Sequence, residues 1–164
     1  MIVGLISDIH DHTDHLHTAL KQLEAAGCKR LLFLGDMADL STFRTLRYSW
    51  EHDLDLVLGN NDYPRGDFLA AAEQWPATRH HGVSADLLLD NRRIFMTHEP
   101  IYALQAALSG KYAAAFFGHT HRAEQRMVGS TLLANPGDIQ GRYGEPSYAL
   151  YNTADSSFSI IPLG

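Results

Sequence analysis

The chain carries a single cysteine, Cys28, in 164 residues. A lone thiol excludes an internal disulfide framework, and an idle or buried thiol suits reducing cytosol. No apolar run approaches the ~18 residues that a membrane-spanning helix needs. Met1 leads straight into an apolar stretch with no basic leader region, so a cytoplasmic protein is expected. Basic residues are scarce: 13 Lys and Arg stand against 19 Asp and Glu, a net charge of −6. They are also scattered, with nothing denser than Lys29-Arg30 and Arg92-Arg93. Duplex nucleic acid binding draws on clustered cations, so DNA or RNA is disfavoured as an obligate partner, whereas small phosphate esters stay open. Internal repeats, linkers and low-complexity tracts are missing too. The apolar fraction of 45% is that of an ordinary globular protein, so a single domain over 1–164 is expected, large enough to bury a core without staples.

What the chain does have is five short apolar runs, each stopping at a residue able to bind a metal. They are 2–7 before Asp8, 31–35 before Asp36, 54–59 before Asn60, 94–97 before His98 and 113–118 before His119. Runs of this length bounded by Gly or Ser read as buried strands. In open α/β sheets the ligand crevice lies outside the carboxyl ends of the strands, so these residues converge on one rim.

Helical patterns separate the first three strands. Residues 13–26 place Leu16, Ala19, Leu20 and Leu23 on one face, with Gly27 where a C′ residue belongs. A second helix is predicted from Ser41 as N-cap to about residue 51, and a third over 66–75, ended by Pro76. This order predicts a parallel sheet covered by helices. In the second half, 83–89 and 92–97 flank the hairpin signal Asp90-Asn91. A helix over 101–109 and a strand over 113–117 follow. Paired β segments then surround Gly129-Ser130 (124–128, 131–134) and Asp155-Ser156 (147–152, 157–161). The expected class is α/β: a four-layer α/β/β/α sandwich, two mixed sheets packed face to face with helices outside.

Each motif taken alone has an ordinary reading. Asp8 and His10 form Asp-x-His, a carboxylate and an imidazole that can both turn inward, or a solvated loop pair. Asp36 lies in Gly35-Asp36-Met37-Ala38-Asp39; its two oxygens can bridge two cations, with Asp39 fixing a neighbouring ligand, or it caps a turn. Asn60, in Gly59-Asn60-Asn61-Asp62, offers a neutral amide oxygen, but Gly, Asn and Asp also dominate turns. His98 can be a satisfied strand-end histidine. Gly118-His119-Thr120-His121 is the sharpest motif, since alternating imidazoles after a buried strand are costly unless a cation uses both. Asn135-Pro136-Gly137-Asp138 is turn chemistry that can shape the rim.

Together and in this order, the motifs resemble the calcineurin-like metallophosphoesterase superfamily, whose pattern is D-x-H, G-D-x-x-D, G-N-x-[DE], a strand-end His and G-H-x-H. The match runs from Asp8 to His121, and the Asn-Pro-Gly turn extends it to about residue 138. The short length and the G-N-N-D motif are most similar to the small prokaryotic YfcE-type branch. The resemblance implies one metal on Asp8, His10, Asp36 and His121, and a second on Asp36, Asn60, His98 and His119, with Asp36 bridging. It implies a dinuclear phosphoesterase, acting on phosphodiesters rather than monoesters by in-line attack of a metal-bridging hydroxide. Catalytic roles then fall on Asp36, Asn60, Asn61 and His98. Two divalent cations less two carboxylates and a hydroxide leave a net charge of about +1 to attract a phosphate anion. The His, Asp and Asn set suits Mn²⁺ first, with Fe, Ni²⁺ or Zn²⁺ as alternatives. Ligation requires neutral imidazoles, so activity should fall as pH drops into the histidine range. The expected partner is a small phosphate ester, without a membrane; a homo-oligomer stays open.

The chain departs from the family pattern at three places. Asn61 stands where many members have a histidine proposed to protonate the leaving oxygen, and a missing acid costs on the order of 10²–10⁴-fold; the small branch lacks it too. Glu99-Pro100 follows His98 where Gly-His is frequent, so Glu99 either replaces an imidazole ligand or stands aside from the metals. Asp11 and Asp138 stand where glycine and serine are common, adding negative charge near the rim. Among the other histidines, His12, His15 and His17 read as a solvated helix start, with His12 a substitute acid if it reaches the cleft. His52, His80 and His81 read as surface residues. Trp50, Trp75, Tyr102 and Tyr112 read as core or lid packing rather than stacking platforms. Substrate choice would rest on cleft walls built from residues such as Tyr63, Arg65, Tyr102 and Arg142. The alternative function is a scaffold that kept the fold, against which stands the filling of all seven ligand positions.

Overall fold

A computed structural model describes residues 1–164. Its first half alternates β1 (Ile2–Ile6), α1 (Thr13–Ala25), β2 (Arg30–Phe33), α2 (Leu40–Ser49), β3 (Asp53–Leu56), α3 (Arg65–Ala72) and β4 (Thr78–His80). The second half runs β5 (Ser84–Leu89), β6 (Arg92–Thr97), α4 (Pro100–Leu108), β7 (Ala114–Phe116), β8 (Glu124–Val128), β9 (Thr131–Asn135), β10 (Ser147–Asn152) and β11 (Phe158–Pro162). Two mixed sheets result, in the orders β11-β10-β1-β2-β3-β4 and β5-β6-β7-β9-β8. Strands β1 to β4 are mutually parallel, as are β6, β7 and β9, and β5, β8, β10 and β11 join by antiparallel pairing.

Side-chain alternation along the strands builds the layers. In the first sheet Val3, Leu5, Leu32 and Leu34 face the second sheet, where Ile94, Met96, Ala114 and Phe116 meet them. The opposite parity, Ile6, Leu31, Phe33, Leu54 and Leu56, packs under Leu16, Leu20, Leu23, Phe43 and Phe68 of α1 to α3. On the far side Ala115 and Leu133 pack against Ala103 and Ala107 of α4. The four-layer expectation therefore holds, because each sheet is apolar on both faces and each face needs a cover.

Local differences from the sequence reading have local causes. Helix α2 is capped by Asp39, not Ser41: Asp39 Oδ1 accepts from the Ser41 N–H at 2.7 Å and the Thr42 N–H at 3.0 Å. Ser41 instead donates its hydroxyl to the same oxygen. Strand β4 was not expected, since three residues, Thr78–His80, are too few to show a period. Asp90 and Asn91 both have positive φ, 47° and 63°, the signature of the primed turn their hairpin requires.

The carboxyl ends of β1, β2 and β3 in one sheet and of β6 and β7 in the other open on the same edge of the sandwich. Asp8, Asp36, Asn60, His98 and His119 each lie within four residues of such an end.

Candidate metal centre

Strained backbone marks this edge. Asp8, His10, Asp11, Asp36, Ala38, His119 and His121 all have φ between 44° and 81°; the remaining non-glycine residues with positive φ, Asp90, Asn91 and Ser156, lie in hairpin turns. Left-handed non-glycine residues cost free energy and cluster where the surroundings over-determine them. The loops also lie unusually close together. A Cβ on Gly118 would meet Ser7 Oγ at 2.0 Å and Asp8 Oδ2 at 2.9 Å. Gly35, at φ 99°, would place a Cβ 2.7 Å from both Gly59 N and His98 Nδ1. The glycines flanking the polar residues are thus conditions for the loops to touch.

One group of donor atoms comprises Asp8 Oδ1, His10 Nε2, His121 Nε2 and Asp36 Oδ2. His10 Nε2 is 3.7 Å from Asp8 Oδ1 and 3.5 Å from Asp36 Oδ2, and His121 Nε2 is 3.5 Å from Asp8 Oδ1. Asp8 is fully buried, yet its Oδ1, like His10 Nε2, has no hydrogen-bond partner. The other oxygen of Asp8 is satisfied by the Ser7 hydroxyl and the His119 N–H, which leaves Oδ1 facing the imidazoles. His121 Nδ1 lies 2.9 Å from Asp138 Oδ2. A carboxylate accepts, so Nδ1 carries the proton and Nε2 presents its lone pair inward.

The second group comprises Asn60 Oδ1, His98 Nε2 and His119 Nδ1, whose pairwise separations are 3.1, 3.0 and 3.2 Å. His98 Nδ1 is 2.8 Å from the Leu34 carbonyl, so that nitrogen donates and Nε2 is a lone pair in the neutral ring. Asp36 Oδ2 is 3.5 Å from His98 Nε2. A proton can bridge only one of these pairs, whereas a cation in the middle faces all of them. Ligands at about 2.0–2.2 Å from a small divalent ion lie roughly 3.0–3.5 Å from one another, so the residues present fit such ions. Asp36 Oδ2, equidistant from His10 and His98, belongs to both groups.

Electrostatics tells the same story. The Asp8 carboxylate, opposed by burial and helped by Asp36, raises the pKa of His10. Burial pulls the His98 pKa down, but Asp36 and Asp8 override it and push it up to about 9. Burial would lift the Asp36 carboxyl, yet His98 and the two Asn61 donors hold it well below the usual range. Buried carboxylates facing lone pairs draw positive charge to this point, as protons if nothing else is there.

Several residues do work the sequence reading did not assign. Asp62, 1% exposed, accepts the N–H groups of Asp36 and Gly59 on one oxygen and of Met37 and Ala38 on the other. It ties the β2 and β3 loops together. The signal was the last residue of the Gly59–Asp62 motif, which reads as turn chemistry until the second loop is beside it. Asp138 orients His121 rather than merely adding charge to the rim. Asn61 donates its backbone N–H and its side-chain amide to the two oxygens of Asp36, at 2.8 and 2.7 Å. Asp39 is a helix cap and holds no ligand. Asp11 turns away to accept from Thr42 Oγ1 at 2.6 Å. His15 Nδ1 bonds the Ile139 carbonyl and stacks on His12, and Glu99 has its carboxylate within 4.8 Å of the ligand nitrogens of His98 and His119. His81, expected at the surface, bonds the buried Asp55 at 2.8 Å.

A sequence model of the calcineurin-like phosphoesterase superfamily domain matches residues 1–156. The chain belongs to that family. Among relatives of this calcineurin-like phosphoesterase, a phosphodiesterase of Methanocaldococcus jannaschii is 24% identical over 169 residues, covering 99% of both chains. A solved archaeal phosphodiesterase superposes with a TM-score of 0.91 at 23% identity over 99% of each chain. The Yfce phosphoesterase from E. coli superposes at 0.68 and 20% identity over the whole of both. These structural likenesses establish the fold, and the family match places the chain among phosphoester hydrolases. No helix is long and apolar enough to cross a membrane.

Proposed function

We propose that the calcineurin-like phosphoesterase is a dinuclear metal-dependent phosphodiesterase acting on a small phosphate ester. Asp8, His10, Asp36 and His121 would hold one divalent ion, and Asp36, Asn60, His98 and His119 the other. The observation that carries this is Asp36 Oδ2, 3.5 Å from both His10 Nε2 and His98 Nε2 and so placed to serve two sites at once. The donor set contains no thiolate and suits Mn²⁺ first, with Fe, Ni²⁺ or Zn²⁺ as competitors. Two bound cations would lower the pKa of a water between them and clamp the phosphate oxygens for in-line attack.

The protein's own part is positioning. Asn61 orients both oxygens of Asp36, Asp138 fixes the His121 tautomer, and the Leu34 carbonyl fixes that of His98. The Asn61 amide is spent on Asp36 and has no acidic proton, so no residue at that position protonates the leaving oxygen. Ester groups with acidic conjugate alcohols are therefore preferred. The test is hydrolysis of bis-p-nitrophenyl phosphate by chelator-stripped protein, before and after Mn²⁺, with Asp36→Asn in parallel. Metal-restored turnover, lost in Asp36→Asn, is expected. A folded protein inert with Mn²⁺, Ni²⁺ and Zn²⁺ would favour the scaffold reading.

A further inference from the structure

A cleft of about 800 Å³ opens directly from the candidate metal centre, with Asn60 and His98 contributing to its wall. It is large for a phosphate group and within the range of small-molecule sites. The face of α4 that lines it carries Ile101, Tyr102, Gln105 and Ser109. Positions spaced by three and four share one helix face, and the eight steps from residue 101 to residue 109 advance roughly 12 Å along it. The cleft thus leads away from the metals for the length of the helix. Nothing in the phosphoryl chemistry uses that space.

Its lining is aromatic and cationic. Phe95 and Tyr112 lie opposite the helix, ring centroids 5.4 Å apart. Tyr112 is held in place by three contacts: its hydroxyl lies 3.1 Å from Asp86 Oδ2, the Arg93 guanidinium is 5.2 Å from its ring, and Phe95 packs on it. Asp86 and Arg93 are themselves a bidentate ion pair. Arg65 and Lys111 are the cations of the lining and Glu99 its one carboxylate, a reversal of sign in a chain of net charge −6. A rigid aromatic wall with cations beside it suits a planar ring joined to an anion.

We infer that this cleft binds one ester arm of the substrate, and that this arm carries a planar aromatic ring of nucleoside size. The inference rests on the phosphodiesterase reading for the placement of the phosphate. It gives Tyr102 and Tyr112, which read from sequence as packing residues, the part of a stacking platform. Substrate choice then lies with α4, β6 and the segment between α4 and β7 that carries Tyr112, not with the ligand loops.

The test is calorimetric binding to Mn²⁺-loaded protein of three monoesters that share a phosphate: methyl phosphate, hexyl phosphate and thymidine 5′-monophosphate. Thymidine 5′-monophosphate should bind at least ~10-fold tighter than methyl phosphate, the scale of a single base-stacking contact. Gln105→Trp, which fills the cleft from an exposed helix position, should bring that ratio to within about 2-fold. Tyr102→Ala should do the same by removing the ring on the helix side of the cleft, and Leu88→Ser, on the exposed face of β5, should leave it unchanged. Thermal melts of all variants check the fold. Equal affinities, a ratio untouched by Gln105→Trp and Tyr102→Ala, or tighter binding of hexyl phosphate than of the nucleotide each overturns the inference. If bis-p-nitrophenyl phosphate turnover persists in that case, the phosphodiesterase reading survives alone. If turnover is absent while the nucleotide binds with the expected sensitivity, the cleft stands and that reading falls.

Discussion

Asp62 touches no candidate ligand side chain, yet the two loops that carry Asp36 and Asn60 hang on its carboxylate. Replacing it with asparagine keeps the shape and removes one acceptor oxygen. Oδ2 accepts from Asp36 N and Gly59 N, both at 2.8 Å, while Oδ1 accepts from Met37 N at 2.7 Å and Ala38 N at 3.2 Å. Whichever way the amide is turned, its NH₂ meets two backbone N–H donors head on. Each buried donor left without an acceptor costs about 1–3 kcal/mol. Two of them, less some relaxation toward solvent, amount to a loss of about 3 kcal/mol. For a chain of this size, roughly 2–4 °C of melting temperature go with each kcal/mol, so Asp62→Asn should melt about 6–12 °C lower. Urea denaturation should show the loss in the midpoint with the slope unchanged. Mn²⁺ should raise the melting temperature of the variant less than that of the wild type, because the loops no longer hold Asp36 and Asn60 in register. A stability loss below about 0.5 kcal/mol, the range of an ordinary surface substitution, would refute the reasoning.

Mn²⁺ at about 100 times its dissociation constant should stabilise stripped protein by roughly 2.7 kcal/mol, and His98→Ala should abolish that gain in a thermal melt. Gly118→Ala places a methyl 2.0 Å from Ser7 Oγ and 2.9 Å from Asp8 Oδ2; a destabilisation of about 1–3 kcal/mol is expected by urea titration, as for overpacked cores. Cys28 is fully buried, and burial pushes its thiol from 9.0 up to about 11. The folded chain then holds this proton where the unfolded chain has released it. The stability involved is complete below pH 9 and is lost as pH rises toward 11, by up to about 2.7 kcal/mol. Cys28→Ala should flatten that part of a stability-against-pH curve, and a slope unchanged by the substitution would count against the burial argument.

The alternation of β1 to β3 with helices in the first half, the helix over 13–26 and the hairpin at Asp90-Asn91 are legible in the chain because each depends on short-range periodicity or turn chemistry. All seven expected ligand positions are legible too, since a polar residue after a buried strand stands out against its neighbours. The structure brings them together as two groups that share Asp36. What could not be read is whatever depends on a second loop lying alongside the first. Asn61 reads as a missing acid and turns out to grip Asp36. Asp62 and Asp138 read as turn and rim residues, and their partners across the site are 24 to 26 and 17 residues away in the chain. Tyr102 and Tyr112 read as packing because aromatic side chains usually are; only the gap between α4 and the second sheet exposes them to a cleft. Sequence by itself determined the layers and the candidate donor residues, through local pattern and residue chemistry. Tertiary structure alone decided which lone pairs face one another and which walls adjoin them, because those are distances between segments that no local pattern encodes.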